Sequence, residues 1–91
     1  MLTPITMTRF EKDLKKAKKQ HKDIEGLKFI MKQLTAENQL EAKYLDHPLK
    51  GRWKGCRECH IENDWLLIYR VKKKENEIWF ERLGSHSELF K

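Results

Sequence analysis

The chain has 91 residues, of which 20 are Lys or Arg and 14 are Asp or Glu, so its formal net charge is +6. This length allows one domain with a single modest core, and it excludes a large enclosed cofactor pocket beside that core. The opening residues "MLTPITMTRF" contain no basic leader followed by an apolar run, and no stretch is apolar enough to span a bilayer, so we expect a cytoplasmic protein rather than an exported or membrane protein. The basic excess favours a polyanionic partner such as nucleic acid or an acidic protein, although it also suits an ordinary soluble surface.

The first part of the chain predicts an edge strand followed by two helices. Residues 3–7 are short, rich in β-branched side chains and carry a proline, which is typical of an edge strand. Thr8 and Glu11 have the spacing of a capping box that would begin a helix. Apolar side chains then recur at helical spacing on both sides of a break near residues 20–22, at Phe10, Leu14 and Ala17 and at Ile24, Leu27, Ile30, Met31 and Leu34. Such narrow apolar stripes need a packing partner, and a sheet is the obvious one.

The second part of the chain predicts that sheet. Residues 36–51 lose all periodicity and include the ordered loop "LDHPLKG", after which strands are expected over residues 53–61, 65–72 and 77–83. The segment "WLLIYRV" is apolar on both faces, as a central strand would be. The tail "SHSELFK" predicts a helical turn capped by Ser85 or Ser87. The expected fold is therefore an α+β domain over residues 1–91, with two N-terminal helices packed on a small antiparallel sheet and a short C-terminal helical turn.

A "CRECH" segment at residues 56–60 matches the C-x-x-C-H pattern of c-type haem attachment. If residues 53–61 form a strand, Cys56 and His60 lie on one face and Cys59 lies on the other. Thiols that point in opposite directions cannot close a disulfide, ligate one metal ion or attach one haem. We therefore predict no haem, no metal and no other cofactor, and we interpret the cysteines as ordinary reduced residues of the sheet.

The histidines are the better candidates for chemistry. His21 lies among lysines at the helix junction and is expected to be solvated, whereas His47, His60 and His86 all lie in loops or near strand ends, where catalytic groups tend to gather. A tight turn would also bring His60 close to Asp64 across the mouth of a hairpin. Each histidine alone could be a hydrogen-bonded structural residue; taken together with a basic surface, they suit another use.

That use is RNA cleavage without a metal. The reaction needs a base for the ribose 2′-hydroxyl, an acid for the 5′-oxygen leaving group and cations for the charge on phosphorus. Histidine suits both proton transfers because it titrates near neutral pH. The residues predicted to contact phosphate are Lys50, Arg52, Lys54, Arg57 and Arg82, and those predicted to stack on a base are Trp65 and Phe90.

Three segments, in this order, resemble a known family: "YLDHPLKGRWKG", "RECHIENDWLLIYR" and "ERLGSHSELF" are similar to the YafQ-like toxins of the RelE/ParE superfamily. The basic helices "KKAKKQHKDIEGLKFIM" also resemble that family, so the similarity covers nearly the whole chain. Cys56 and Cys59 depart from it, since the family often has an aromatic residue at the first position and a small residue at the second. Neither position is catalytic in the family.

The resemblance implies a RelE-like fold and an mRNA interferase, an endoribonuclease that cleaves mRNA in the ribosomal A site without a metal. By matching position, the implied catalytic residues are His47, His60, Asp64, His86 and Phe90. We expect His60 and His86 to be the proton-transfer pair, with Asp64 orienting an imidazole and Arg82 facing the phosphate; His47 could replace either histidine.

The resemblance also implies partners. These are the mRNA on the ribosome and a cognate DinJ/RelB-like antitoxin whose acidic or amphipathic C-terminal segment wraps the toxin, as a heterotetramer. Operator DNA would be contacted only through the antitoxin. Two alternatives stay open: a toxin that keeps this fold but acts only by binding a protein, as the ParE branch does, and a basic RNA-binding module without catalysis.

Overall fold

A computed structural model of the chain describes residues 1–90, which form one five-stranded sheet and three helices. The helices are α1 (Thr8–Lys19), α2 (Ile24–Thr35) and the short α3 (His86–Leu89). The strands are β1 (Thr3–Thr6), β2 (His47–Pro48), β3 (Arg57–Glu62), β4 (Trp65–Lys72) and β5 (Glu77–Gly84). No helix within residues 1–90 is both long and apolar enough to cross a membrane.

The strand order across the sheet is β1-β5-β4-β3-β2, which makes β4 the central strand, as its sequence predicts. Neighbouring strands are antiparallel except for β1 and β5, which run parallel. The expectation of a purely antiparallel sheet is therefore wrong at this one edge. Only a hairpin connection forces two neighbouring strands to be antiparallel, and β1 is separated from β5 by both long helices and three strands.

The main core lies between the two long helices and one face of the sheet. The predicted apolar stripes supply Phe10 and Ala17 from α1 and Leu27, Ile30 and Leu34 from α2. The sheet contributes Cys59, Trp65, Leu67, Tyr69, Ile78, Phe80 and Leu83, all at most 2% exposed. Burial of this many large apolar side chains is the dominant stabilising contribution of the fold.

A second, smaller core lies on the opposite face of the sheet. It consists of Cys56, Leu66, Ile68 and Leu89, with Leu49 and Trp53 packed against it. Leu89 anchors α3 to this face, and Leu49 with Trp53 anchors the connection between β2 and β3. The two segments that carry most of the predicted site residues are thus held to the same side of the sheet.

The cysteines belong to different cores, Cys56 to the small one and Cys59 to the main one. The prediction that they point to opposite faces is confirmed, and both thiols are free within the described residues. Burial raises the pKa of each thiol above its ordinary value. Both cysteines are therefore inert packing residues rather than a redox or haem motif.

Two predicted helix N-termini have different outcomes. The capping box at Thr8 is not formed: Met7 is the N-cap, Thr8 is already helical, and Glu11 accepts a hydrogen bond of 2.6 Å from the Thr6 hydroxyl instead. At α3 the prediction of a serine cap is confirmed, because Ser85 and Glu88 form a complete capping box.

The segment before β3 also differs from its prediction. The strand expected from residue 53 begins at Arg57, because Gly51–Trp53 forms a 3-10 turn and Gly55 has a φ of +95°, a left-handed conformation that breaks an extended strand. The loop around His47 contains two residues that pair with β3 as β2. A strand this short has no periodicity from which it could be predicted.

Candidate active site

Three histidines from separate parts of the chain meet at one end of the sheet. His47 is in β2, His60 is in β3 and His86 begins α3. The ring centroids of His60 and His86 are 5.5 Å apart in an edge-on arrangement. His47 is joined to His60 through the carboxylate of Glu58, which lies between them. The prediction that these three imidazoles come together therefore agrees with the geometry.

Glu58 is the site residue that the sequence analysis missed. It is directly opposite His47 in the β2–β3 ladder and is only 4% exposed. Its Oε2 is 2.9 Å from Nε2 of His47 and 3.5 Å from Nε2 of His60. A buried carboxylate needs hydrogen-bond donors or a cation around it, and here two imidazoles face it. The available signal was strand alternation, which places Glu58 and His60 on the same face.

Asp64, in the turn between β3 and β4, holds His86. One carboxylate oxygen accepts hydrogen bonds from the His86 backbone N–H at 3.1 Å and from its ring Nδ1 at 2.9 Å. These two donors lower the pKa of Asp64 below its ordinary value, the backbone N–H more than the ring. The bond to Nδ1 sets the tautomer and leaves Nε2 of His86 free to face a substrate. The expected partner of Asp64 was His60; its hydrogen bonds go instead to a histidine 22 residues further along the chain.

Phe90 lies just beyond α3, with its ring centroid 6.0 Å from that of His86. Its side chain is 38% exposed, whereas the neighbouring Leu89 is 1% exposed and packs in the small core. Leu89 therefore anchors the tail to the sheet. The Phe90 ring lies beside the imidazoles with one face available for stacking.

A partly buried polar network positions the loop that carries His47. The hydroxyl of Tyr69 donates a hydrogen bond of 2.6 Å to Asp46, and Nε of Arg57 donates one of 3.3 Å to the same oxygen. Tyr69 is 2% exposed, and burial together with the Asp46 carboxylate raises its pKa. Asp46 is thus clamped to the central strand immediately before His47. Arg57 alternates with Glu58 along β3, so its side chain leaves the opposite face of the sheet.

The predicted cations are divided between the site and other contacts. Lys50, Arg52 and Lys54 are exposed in the segment that Leu49 and Trp53 anchor on the face of the small core. Arg82 is held by Asp13 of α1, to which its Nε and Nη2 donate at 2.8 Å and 3.2 Å. The Asp13 ion pair raises the pKa of Arg82. The Arg82 guanidinium is therefore already paired rather than free for a phosphate.

Trp65 is a core residue and not a stacking platform. The prediction that it stacks on a base is wrong, because it is 2% exposed and belongs to the main core beneath the helices. Its position at the start of β4 points the indole to the face opposite His60. No ring face of Trp65 is left for a base, which leaves Phe90 as the candidate for base stacking.

Comparison with known proteins supports one family along the whole chain. The profile of a bacterial toxin of type II toxin–antitoxin systems, YafQ, matches residues 2–91. The mRNA interferase toxin YafQ of Escherichia coli K12 is 47% identical over 83 residues, which are 90% of this chain and 88% of that protein. A metal-bound toxin from Helicobacter pylori superposes with a TM-score of 0.93 at 50% identity, over 99% of this chain and 100% of its own. The toxin in the E. coli DinJ–YafQ complex superposes with a TM-score of 0.89 at 41% identity, over 100% of both chains.

Proposed function

The chain belongs to the YafQ family of bacterial type II toxin–antitoxin toxins, which includes the mRNA interferase toxin YafQ of Escherichia coli, and we propose that it is an endoribonuclease that cleaves mRNA during translation. The proposed reaction is metal-independent general acid–base catalysis in the cytoplasm. The observation that supports it most strongly is the pair His60 and His86, with ring centroids 5.5 Å apart and a carboxylate beside each ring.

In the proposed reaction the ribose 2′-oxygen attacks phosphorus and the bond from phosphorus to the 5′-oxygen breaks. One imidazole of the His60–His86 pair takes the 2′-hydroxyl proton, and the other gives a proton to the 5′-oxygen. Asp64 orients His86 through Nδ1, and Glu58 orients His60 and His47. His47, 2.9 Å from Glu58, is the reserve candidate for either transfer.

Charge stabilisation and substrate positioning fall to groups around the imidazoles. We assign the phosphate contacts to Lys50, Arg52 and Lys54, since all three are exposed on the segment packed beneath the site. Arg82 is the weaker candidate because of its Asp13 ion pair. Phe90 would stack a base next to the scissile phosphate, which its 38% exposure beside His86 permits.

The partner in this proposal is an antitoxin. YafQ of E. coli is found in complex with DinJ, and this chain has a similar toxin fold with a net charge of +6. An acidic or amphipathic antitoxin segment lying over the basic face would block the site both by electrostatics and by exclusion of RNA. The antitoxin would also carry the contacts with operator DNA.

The test is a reconstituted translation reaction with purified toxin and a defined message, followed by mapping of new 5′ ends. We expect cuts at discrete positions within the translated region, and their loss when initiation is blocked or when the antitoxin is added. Equal cutting of the untranslated message would overturn the ribosome dependence. Inhibited translation of an intact message would overturn the nuclease and favour a toxin that acts by binding alone.

A further inference from the structure

Two arginines from distant parts of the chain line one cavity beside the small core. The cavity has a volume of about 290 Å³ and is lined by Arg9, Arg52 and Trp53. Arg9 is in the first turn of α1, and Arg52 and Trp53 are in the 3-10 turn before β3. We propose that this cavity binds one phosphate group of the single-stranded message, on the strand beyond the cleaved bond. The message as ligand rests on the proposed function, whereas a phosphate site at this place does not.

The two arginines of the cavity differ from the others in their charge partners. Within residues 1–90, three arginines are each paired with a carboxylate: Arg57 with Asp46 at 3.3 Å, Arg70 with Glu81 at 3.5 Å and Arg82 with Asp13 at 2.8 Å. Arg9 and Arg52 form no ion pair within the same range, and both side chains are exposed. Two unpaired guanidinium groups at one cavity repel each other, and an anion between them turns that repulsion into attraction.

Trp53 supplies a further hydrogen-bond donor at the cavity. Its indole Nε1 is the only buried side-chain nitrogen or oxygen in the described part of the chain that has no hydrogen-bond partner. A buried donor without an acceptor costs free energy, and a phosphate oxygen in the adjoining cavity would supply the acceptor after a small tilt of the ring. Arginine suits the same ligand, because its planar guanidinium can donate two parallel hydrogen bonds to phosphate oxygens.

The cavity lies on the side of the sheet that carries the imidazoles. Trp53 packs against the small core, which also contains Leu89 of α3. Leu89 stands between His86 and Phe90, the proposed proton-transfer and stacking residues. A strand whose base stacks on Phe90 can therefore continue across the small core to the two arginines. Because this contact holds the strand without touching the reacting atoms, Arg9 and Arg52 would be positioning residues.

The test measures binding of a short RNA with 2′-O-methyl riboses, as a single strand and as a duplex. This RNA has no 2′-hydroxyl, so the proposed reaction cannot cleave it. Arg9→Gln and Arg52→Gln should each weaken binding of the single strand about five-fold at about 100 mM salt, since one phosphate contact contributes about −0.7 to the slope of log K against log salt. Because both arginines hold one phosphate, the double variant should lose less than the product of the two single losses.

Lys12→Gln is the matched control, because Lys12 is an exposed cation of α1 one turn from Arg9 and does not line the cavity. It removes the same unit charge and should bind the single strand almost as the wild type does. All three substituted side chains are exposed, so each variant should fold as the wild type does.

A second measurement follows the indole N–H signals of the three tryptophans in NMR. Inorganic phosphate and the single-stranded RNA should both shift the signal of Trp53. Both should leave the signal of Trp65, which is buried in the main core, in place. The shift of the Trp53 signal should disappear in the double arginine variant.

A Trp53 signal that stays in place with both ligands, or single losses no larger than that of Lys12→Gln, would overturn the site. Losses that multiply in the double variant would place the two arginines on separate phosphates and overturn the shared cavity. Losses seen only with the duplex would overturn the message as ligand and point to a helical RNA. A protein that never cleaves but shows the expected binding losses and Trp53 shift would refute only the proposed nuclease.

Discussion

His86 is positioned by a single carboxylate oxygen, which receives both its backbone N–H and its ring Nδ1–H. We predict that Asp64→Asn lowers the cleavage rate by about 10–100-fold, because a misoriented imidazole loses part of the roughly 10²–10⁴-fold that a positioned general acid or base contributes. The asparagine carbonyl can still accept the backbone N–H, so folding should be almost unchanged. Single-turnover cleavage rates and thermal unfolding of the variant would separate the two effects.

The matched control is Glu62→Gln in the same hairpin, whose carboxylate accepts from the backbone N–H of Asp23 instead. It should keep the wild-type rate.

The pKa of Asp64 is lowered from 3.8, so its carboxylate stays ionised throughout neutral pH. The ionised Asp64 carboxylate stabilises the folded protein fully above pH 3.8, and this stabilisation is lost only as the pH falls through the lowered pKa. Loss of the Asp64 contribution in wild type at pH 5–6 would contradict this assignment.

Most residues of the candidate site were predictable one by one from the sequence, and those that were not have a physical reason. His47, His60, Asp64, His86 and Phe90 were all predicted as site residues, and the structure brings them into one cluster. Glu58 was not predicted because only the pairing of β2 with β3 buries its carboxylate beside His47, and a two-residue strand leaves no pattern in the sequence. The prediction that Asp64 pairs with His60 considered only the hairpin that contains both residues. Asp64 accepts hydrogen bonds from His86 instead, because the chain returns to this end of the sheet through β5 and places α3 beside the hairpin turn.

At the element scale, α3 is the critical element, because its four residues begin with His86 and immediately precede Phe90. It is too short to be stable alone and depends on Leu89 in the small core and on its capping box. The carboxylate of Glu88 accepts from Lys16 of α1 and from the backbone N–H of Ser85, while the backbone N–H of Glu88 donates to the Ser85 hydroxyl oxygen. These bonds, with Lys16 the larger cause, lower the pKa of Glu88 to about 2.

We predict that Glu88→Gln destabilises the protein by about 1 kcal/mol at pH 7, since solvent screens this half-exposed ion pair and the cap is partly kept. That corresponds to a fall in Tm of about 4–8 °C for a domain of this size. The contribution of Glu88 is full above pH 4.5 and disappears as the pH falls toward 2, so the wild-type and variant Tm values should converge there. Thermal unfolding followed by circular dichroism from pH 7 to pH 2 would measure this.

Glu75→Gln is the control, because Glu75 is an exposed carboxylate at the end of the turn before β5. It should leave Tm within about 1 °C at every pH, as surface substitutions usually do. A Glu88→Gln deficit that is equally large at pH 2 and pH 7 would show that packing, and not charge, is responsible.

The elements themselves were predictable to different degrees. The long helices and the central strand have strong periodicity or a continuous apolar run, and each was found. The parallel pairing of β1 with β5 depends on contacts between the two ends of the chain, which local patterns do not record. His47 and Pro48 form a strand only because they pair with the edge of β3.

In the molecule as a whole, the sheet separates the face that packs against the helices from the face that carries the candidate site. Helices and the main core cover one face; the small core, the imidazole cluster and the basic segment with Lys50, Arg52 and Lys54 share the other. This division makes the contribution of net charge testable by position. Changing those three residues to Gln lowers the net charge from +6 to +3, since three unit charges are removed.

We predict that this triple variant binds a single-stranded RNA more weakly and with a shallower salt dependence. Each phosphate contact to a single strand contributes about −0.7 to the slope of log K against log salt, so three lost contacts reduce the slope by about 2. Changing Lys12, Lys15 and Lys19 of α1 to Gln removes the same charge from the opposite face and should reduce the slope much less. Fluorescence anisotropy between 50 and 200 mM salt would compare them; equal slopes in the two triple variants would mean that binding follows total charge and not the site.

The proposed mechanism requires His60 and His86 to exchange protons with the mRNA. The most direct measurement maps mRNA 5′ ends during translation with the wild type, His60→Ala, His86→Ala and the control His21→Asn, at matched protein levels. Discrete cuts should be present with the wild type and His21→Asn and should vanish with both of the other variants. Undiminished cutting by folded His60→Ala or His86→Ala would show that the substituted histidine is not needed for proton transfer. His47 would then be the candidate for that step.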